Sequence, residues 1–119
     1  MGYIANNYTE IQYDSSLGDT TLKIGIGRVD YQCLSCQIIA SSYFGTTANF
    51  TIQESNNGVN WSDIVDNNGN ALTVTITANG VYMLKTSIFY AQYIRLNFLK
   101  GDSESGIYDI FTYFKQKNL

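Results

Sequence analysis

Apolar and polar residues alternate along much of the chain, and this alternation predicts β-strands rather than helices. Residues 72–77 read LTVTIT, in which Leu72, Val74 and Ile76 are separated by threonines. Residues 93–98 read YIRLNF and repeat the pattern, whereas no segment keeps a helical period for about a dozen residues. Because successive side chains of a strand point to opposite faces, each segment is expected to bury one face and expose the other.

Turn-forming residues separate the alternating segments at intervals of about eight to twelve residues, which is typical of a sandwich or barrel. We predict an all-β fold, a single-domain antiparallel β-sandwich of the jelly-roll type with about eight strands. The 119 residues are enough for one buried core without metal or disulfide support. The predicted domain therefore spans residues 1–119, with residues 1–7 as an N-terminal arm.

Residues 50–61, which read FTIQESNNGVNW, combine an alternating strand, a turn and the one tryptophan of the chain. Asn57 and Gly58 both tolerate the positive φ that tight turns demand, and serine and asparagine side chains can hydrogen-bond the local backbone. The chain is then expected to reverse and bring Trp61 towards the core, where the indole fixes the turn. Stacking of Trp61 on a sugar ring is the alternative interpretation.

Charge is scarce in this sequence. Charged residues make up 14% of the chain, against an average of about 25%. The net charge is −3 and the seven basic residues are scattered, so no cationic track for phosphates is expected. No stretch resembles a signal peptide or reaches the length of a bilayer span. The sequence therefore predicts a protein made in a cytoplasm that binds neither nucleic acid nor membrane.

Cys33 and Cys36 form an isolated C-x-x-C pair within a predicted strand. A separation of three residues places two strand side chains on opposite faces, and a redox pair normally gains its low thiol pKa from a helix N-terminus. We interpret both as packing thiols rather than as a redox or zinc site. The chain has no histidine, and most of its ten carboxylates fall at predicted turns or strand ends. No catalytic residue, metal site or cofactor is therefore predicted.

The turn and a later strand together resemble a known family. Residues 55–61 read SNNGVNW and residues 93–96 read YIRL. This combination resembles discoidin-like domains, also called galactose-binding-like domains, which commonly carry S-x-D-G-x-x-W and A-R-Y-[IV]-R-[IL]. It is also similar to compact β-sandwich proteins of tailed bacteriophage particles. The resemblance covers about residues 48–115 and implies that the fold is held by Ser55, Asn57, Gly58, Trp61, Tyr93 and Arg95.

Two details refine this resemblance. Asn57 stands where discoidin-like domains usually have aspartate. Arg95 is expected to serve the fold, by bridging to a turn carbonyl or to a carboxylate such as Asp63.

Aromatic residues make up 14% of the chain, including ten tyrosines, which is more than one small core is expected to bury. The last predicted strand, residues 107–115, is apolar on both faces, as expected of a central strand or of one pressed against another subunit. Tyrosine is enriched at protein interfaces. We predict an interface with candidate residues Tyr3, Tyr8, Tyr13, Tyr108, Ile110 and Phe114, the alternative being burial in one core.

These properties lead us to expect a non-enzymatic structural protein of a virus particle, namely a phage capsid decoration protein made in the bacterial host cytoplasm. Its expected partners are itself, as a symmetric homo-oligomer such as a trimer, and the major capsid protein. A tail, baseplate or fibre protein is a close alternative. A carbohydrate-binding module is the alternative from another class, with Tyr43, Phe44 and Trp61 stacking on a glycan.

Overall fold

Two antiparallel β-sheets face each other in the computed structural model, which describes residues 6–26, 33–86 and 91–115. The strands are β1 (Asn6–Asp14), β2 (Thr20–Ile26), β3 (Cys33–Phe44), β4 (Ala48–Ser55), β5 (Ser62–Asp63), β6 (Thr73–Ile76), β7 (Gly80–Thr86), β8 (Tyr93–Leu99) and β9 (Ser105–Lys115). One sheet has the order β1-β9-β3-β7. The other runs β2-β8-β4-β5, with β6 also paired to β4.

The strand order is that of a jelly roll. β1, β3, β7 and β9 form the four-stranded sheet, while β2, β4, β6 and β8 form most of the five-stranded sheet, so the chain passes repeatedly from one layer to the other. The predicted β-sandwich is therefore confirmed. The additional strand, β5, has two residues and follows Trp61. Two residues are too few to show an alternation, which is why the sequence did not indicate it.

The core lies between the sheets and is built from alternate residues of both. Ile94, Leu96 and Phe98 are fully buried, as the alternation in residues 93–98 predicted. Three rings meet at the centre: Phe50 lies 4.8 Å from Phe98 and 5.2 Å from Tyr108 between ring centroids. Aromatic pairs at such separations add to the free energy gained by burial. This cluster therefore contributes to the packing of one sheet on the other.

Two loops interlock at one end of the sandwich. Gly45 has φ +98, and a Cβ there would overlap the carbonyl oxygen of Ser103. A Cβ on Gly101 would likewise overlap the carbonyl oxygen of Thr47. The amide of Ser103 also donates to Oγ1 of Thr46 over 3.2 Å. The β3–β4 loop and the β8–β9 loop therefore fit against each other backbone to backbone, which ties the two sheets together.

Candidate protein interface

The outward side of the four-stranded sheet consists of the residues that alternate with its core positions, and we call it the four-strand outer face. Strand register arranges these residues in rows across β1, β9, β3 and β7. One row contains Glu10, Phe111, Gln37 and Met83, and the next contains Gln12, Asp109, Ile39 and Val81. The flanking rows add Tyr113, Ser35 and Lys85 at one end and Asp14, Ile107 and Ser41 at the other.

Apolar side chains lie in neighbouring rows of this face and form a band that polar residues interrupt. Val81 is 61% exposed, Met83 45% and Tyr113 40%. Ile39 and Phe111 are half-buried beside them. Ile39 pairs with Val81 across β3 and β7, so the band reaches the edge strand β7. Several exposed apolar side chains on one face of a domain make that face a candidate site of contact with another molecule.

Charges of opposite sign lie at the two edges of the same face. Lys85 is exposed on β7, whereas Glu10 and Asp14 are exposed on β1. The Asp14 carboxylate accepts the Ser16 amide over 2.9 Å, and this hydrogen bond lowers the pKa of Asp14. Asp109 occupies the middle of the face and accepts a hydrogen bond from Nε2 of Gln12 over 3.0 Å. The face is therefore negative at β1 and positive at β7.

The interface residues predicted on the last strand lie on its other side. Tyr108, Ile110 and Phe114 are at most 1% exposed and belong to the core, so their assignment to an interface is wrong. The outward side of β9 instead carries Phe111 and Tyr113. A strand that is apolar on both faces gives no sequence signal for the face that meets the opposite sheet. The pairing of β9 between β1 and β3 decides it.

The three N-terminal tyrosines predicted as interface residues do not share one location. Tyr13 is 7% exposed, packs edge-on against Phe98 with 5.3 Å between ring centroids, and donates its hydroxyl to the carbonyl of Gly18. Tyr13 is therefore a core residue and not an interface residue. Tyr3 lies outside the described residues. Tyr8 is described through its backbone, which pairs with Tyr113.

The outward side of the five-stranded sheet is mostly polar, in contrast to the four-strand outer face. Its hydroxyl and amide side chains bond to one another across strands, in the pairs Thr75–Asn49 (2.7 Å), Thr51–Thr73 (2.8 Å) and Gln53–Asp63 (2.9 Å). Leu99 is an apolar exception and is 47% exposed. These polar side chains satisfy one another and stabilise the sheet from its outward side.

The turn after β4 is held by two side chains. Oγ of the buried Ser55 accepts the amide of Gly58 over 2.9 Å, and Oδ1 of Asn57 accepts the amides of Val59 and Asn60, also over 2.9 Å each. Gly58 has φ +74, as predicted for this turn, whereas Asn57 contributes its side chain rather than a positive φ. The resemblance assigned this turn to the fold, and its hydrogen bonds have that function.

Trp61 lies outside the core. It is half-buried, and the guanidinium carbon of Arg95 lies 4.2 Å from the centre of its ring. Nε of Arg95 donates to Oε1 of Gln53 over 2.8 Å, and Gln53 in turn donates to Asp63. The prediction that Trp61 returns to the core is therefore wrong. Arg95 serves the fold as expected, but it reaches Asp63 through Gln53.

The three aromatic residues proposed to stack on a glycan do not converge. Tyr43 and Phe44 end β3 just before β4 begins, whereas Trp61 follows the far end of β4. An eight-residue strand separates its ends by about 23 Å. The hydroxyl of Tyr43 donates to the carbonyl of Ile76 over 3.0 Å, at the opposite end of the sandwich from Trp61. The predicted sugar platform is therefore not assembled.

A polar depression of about 320 Å³ lies beside the Trp61 turn. The described residues that line it are Glu54, Ser55, Asn56, Asn60, Ser62 and Ala91. Burial raises the pKa of Glu54. None of these lining residues is aromatic, so the lining of the depression offers no ring on which a sugar would stack.

A buried carboxylate, that of Glu104, holds the β8–β9 loop. Glu104 is 1% exposed and accepts a hydrogen bond from the hydroxyl of Tyr108. Nζ of Lys100 lies 3.7 Å from Oε1 of Glu104. Desolvation, followed by the hydrogen bond to Glu104, raises the pKa of Tyr108. Glu104 is one of the carboxylates at predicted turns, and a carboxylate in a GDSESG loop carries no local mark of burial.

Cys36 behaves as a packing thiol. It is fully buried, and desolvation raises its pKa to about 12, so almost no reactive thiolate forms near neutral pH. Among the described residues, no three His, Cys, Asp or Glu side chains come together as a metal site would require. In residues 6–26, 33–86 and 91–115, no helix has the length and apolar character needed to cross a bilayer.

No protein-family model matches the sequence, and no characterised protein matches it. Among solved structures, the chain is similar to a protein described under the words "Bacillus endospore appendages form a novel family of disulfide-linked pili". The TM-score is 0.55 at 9% sequence identity, over 96% of this chain and 89% of that chain. At this identity the likeness shows a shared fold alone. The resemblance to discoidin-like domains stays a prediction.

Proposed function

We propose that this chain is a non-enzymatic structural protein of a phage particle, a decoration protein that binds the capsid in many copies. The contrast between the two outward sides of the sandwich carries the proposal. The five-stranded sheet pairs its outward polar groups with one another, whereas the four-strand outer face exposes a band that includes Val81, Met83 and Tyr113. Exposed apolar and tyrosine side chains, as on the four-strand outer face, suit contact with another protein.

The rigidity of the sandwich supports the same role. The loops at Gly45 and Gly101 interlock at one end, and the Ser55 turn is hydrogen-bonded at the other. A preorganised surface loses little conformational entropy when it binds. A protein that binds an assembled shell but not its separate subunits stabilises the shell without any chemical step.

The contacts within the turn motif also support the proposed role in a phage particle. The residues that carry the resemblance to phage-particle sandwiches form one connected unit, in which Ser55 and Gly58 build the turn and Arg95 covers Trp61. This unit fixes the edge of the five-stranded sheet and leaves the four-strand outer face free for assembly.

A fibre or tail position is the second candidate function. The similar Bacillus structure is described as belonging to disulfide-linked pili, and that description favours a subunit repeated along a fibre. Cys36 is unsuited to a disulfide between subunits because its thiol is buried. Under this alternative, the four-strand outer face would contact neighbours along a fibre rather than over a shell.

Co-sedimentation with phage particles assembled without this protein tests the proposal. The full chain is expected to pellet with the heads, and electron cryomicroscopy is expected to show one sandwich-sized density repeated over the icosahedral shell. Density confined to the tail would favour the second candidate instead. A chain that binds neither heads nor tails at saturating concentration would overturn the structural role.

A further inference from the structure

We infer that the folded chain deamidates at Asn68, through attack by the backbone nitrogen of Gly69, while its two other Asn-Gly pairs are protected. Those pairs are Asn57–Gly58 and Asn79–Gly80. Asparagine reacts readily when glycine follows it, because glycine has no Cβ to hinder the approach of its nitrogen to the side-chain carbonyl carbon. Nothing in the proposed structural role requires this modification.

The reaction at Asn68 consumes only water. The Gly69 nitrogen loses its proton and bonds to Cγ of Asn68, the Cγ–Nδ2 bond breaks, and the side-chain nitrogen leaves as ammonia. Water then opens the resulting succinimide ring at either carbonyl, which yields aspartate in the normal linkage or isoaspartate, whose main chain runs through Cγ. Ring closure therefore requires a side chain that is free to rotate and a glycine amide that leaves its hydrogen bond.

Asn57 and Asn68 form a matched comparison, because each is the second asparagine of an Asn-Asn-Gly sequence. Both glycine amides are hydrogen-bonded. Gly58 donates to Oγ of Ser55 over 2.9 Å, and Gly69 donates to a carbonyl oxygen within its own turn over 3.0 Å. The attacking nitrogens thus start from similar states, so a difference in rate in the folded chain must come from the asparagine side chains and their surroundings.

Hydrogen bonds hold the Asn57 carboxamide in place. Its Oδ1 accepts the amides of Val59 and Asn60 over 2.9 Å each, and its Nδ2 donates to Oδ1 of Asn60 over 3.1 Å. Gly58 is also packed, since a Cβ there would lie 3.6 Å from the ring of Tyr93. Breaking one such hydrogen bond slows ring closure roughly five-fold, so these bonds together are expected to slow deamidation of Asn57 about 100-fold.

The Asn68 carboxamide is exposed to solvent. Its backbone amide donates to Oδ1 of Asp66 over 2.8 Å, but its side chain takes part in no hydrogen bond within the described part of the chain. A Cβ on Gly69 would meet nothing within 4 Å, so no neighbour crowds the forming ring. The side chain is therefore free to rotate onto the Gly69 nitrogen once that amide leaves the carbonyl of Asp66.

Asn79 is restrained by β3. Its Oδ1 accepts the backbone amide of Tyr43 over 2.8 Å, which ties the side chain to the end of that strand. Gly80 begins β7 and pairs with Ala40. Ring closure at Asn79 would disturb a strand end as well as a hydrogen bond, so this site is expected to react at least about five-fold more slowly than Asn68.

Deamidation of Asn68 places a second carboxylate in the turn of residues 66–70. Oδ1 of Asp66 accepts the amides of Asn68 and Asn70, over 2.8 and 3.0 Å. Isoaspartate lengthens the main chain between those amides, so both hydrogen bonds are expected to weaken. This turn lies between β5 and β6 of the five-stranded sheet, whereas the four-strand outer face belongs to the other sheet. The modified chain is therefore expected to stay folded with that face unchanged.

Peptide mass spectrometry of the full chain, kept folded for weeks at mildly alkaline pH, tests the inference. Chymotryptic cleavage after Trp61 and Leu72 places each Asn-Gly pair on a separate peptide. Asn68 is expected to convert first, and faster as the pH rises, because the attacking amide must lose its proton. A parallel sample unfolded in guanidinium chloride is the reference, in which all the Asn-Gly pairs should convert at similar rates.

Two variants test the structural cause. Asn60→Ala removes the acceptor of Asn57 Nδ2 and should speed conversion of Asn57 about five-fold while leaving Asn68 unchanged. Asn68→Ser is the matched control and removes the reactive amide. Because each conversion makes the net charge of −3 one unit more negative, isoelectric focusing should show an early acidic form in the wild type that is missing in Asn68→Ser.

The outcomes separate this inference from the proposed function. Equal rates at Asn57 and Asn68 in the folded chain, or conversion of Asn68 in the unfolded sample alone, would overturn the inference and leave the role in phage particles standing. A chain that deamidates at Asn68 but binds no particle would support the inference and refute that role. Circular dichroism before and after incubation confirms that each sample is folded.

Discussion

The guanidinium of Arg95 lies over the ring of Trp61 at 4.2 Å, and the same side chain donates to Gln53 over 2.8 Å. Arg95 is on β8, Gln53 is on β4, and Trp61 follows the β4 turn. One side chain thus fastens the turn to its neighbouring strand from outside the sandwich. The tryptophan is fixed by a cation rather than by the core.

Arg95→Ala is expected to lower the free energy of unfolding by about 1–2 kcal/mol, because it removes a cation–π contact and a hydrogen bond. Arg95→Lys should recover only part of the loss, since an ammonium cannot reproduce the planar guanidinium. Urea unfolding followed by Trp61 fluorescence measures both. Thr21→Ala, at an exposed position of the same sheet, is the control and should change the stability by less than about 0.5 kcal/mol. Wild-type stability in Arg95→Ala would contradict the role assigned to this contact.

Alanine substitutions at Gly45 and Gly69 distinguish the cost of backbone strain from the cost of steric overlap. Both have positive φ, +98 and +80, but a Cβ on Gly69 meets nothing within 4 Å. Gly69→Ala should therefore cost about 1 kcal/mol through strain alone. Gly45→Ala adds an overlap with the Ser103 carbonyl and should cost at least about 3 kcal/mol. Thermal unfolding compares the two, and equal losses would mean that the loops are not interlocked.

Tyr108→Phe removes the hydroxyl that Glu104 accepts, and it should lower the unfolding free energy by about 1–3 kcal/mol because a buried carboxylate loses a donor. Tyr113→Phe is the control on the same strand, since Tyr113 is 40% exposed. A double-mutant cycle with Glu104→Gln isolates the interaction between the two side chains. Additive effects in that cycle would show that the pair contributes nothing of its own.

Alkaline pH is expected to destabilise the fold. Burial raises the pKa of Cys36 to about 12, whereas a thiol in the unfolded chain has a pKa of about 8.5. Above about pH 8.5 the thiol of the unfolded chain loses its proton while the thiol of the folded chain keeps it. The contribution of this thiol to the free energy of unfolding is therefore complete below about pH 8.5 and falls as the pH rises towards 12. The slope from this group approaches about 1.4 kcal/mol per pH unit. Urea unfolding between neutral pH and pH 11 measures it, and Cys36→Ala should lower stability near neutral pH but reduce the slope, so that the difference from the wild type shrinks as the pH rises.

Local patterns in the sequence predict the structure of this chain most reliably. The alternation in residues 72–77 and 93–98 predicted strands that the structure confirms, and the positive φ of Gly58 follows from its place in a tight turn. Each of these features depends on residues within a few positions of one another. Asn57 belongs to the same turn, as predicted, and stabilises it through its side chain.

Features that depend on strand order could not be predicted from the sequence. The choice between the two apolar faces of β9 is made by β1 and β3, and the distance between Phe44 and Trp61 is set by the whole length of β4. The burial of Glu104 likewise results from the loops around it. None of these relationships leaves a mark in the local sequence, because they join residues far apart along the chain.

β9 is the last described strand, yet it lies between β1 and β3. Gln12 and Asp109, which bond across β1 and β9, are 97 residues apart. The four-stranded sheet therefore cannot form until β9 has left the ribosome. Until then, β1 has no strand to pair with in this sheet. Such non-local pairing makes folding slow, in the range of about milliseconds to seconds. The same topology delays the four-strand outer face until β9 has paired with β1 and β3, so this face is among the last parts of the domain to form.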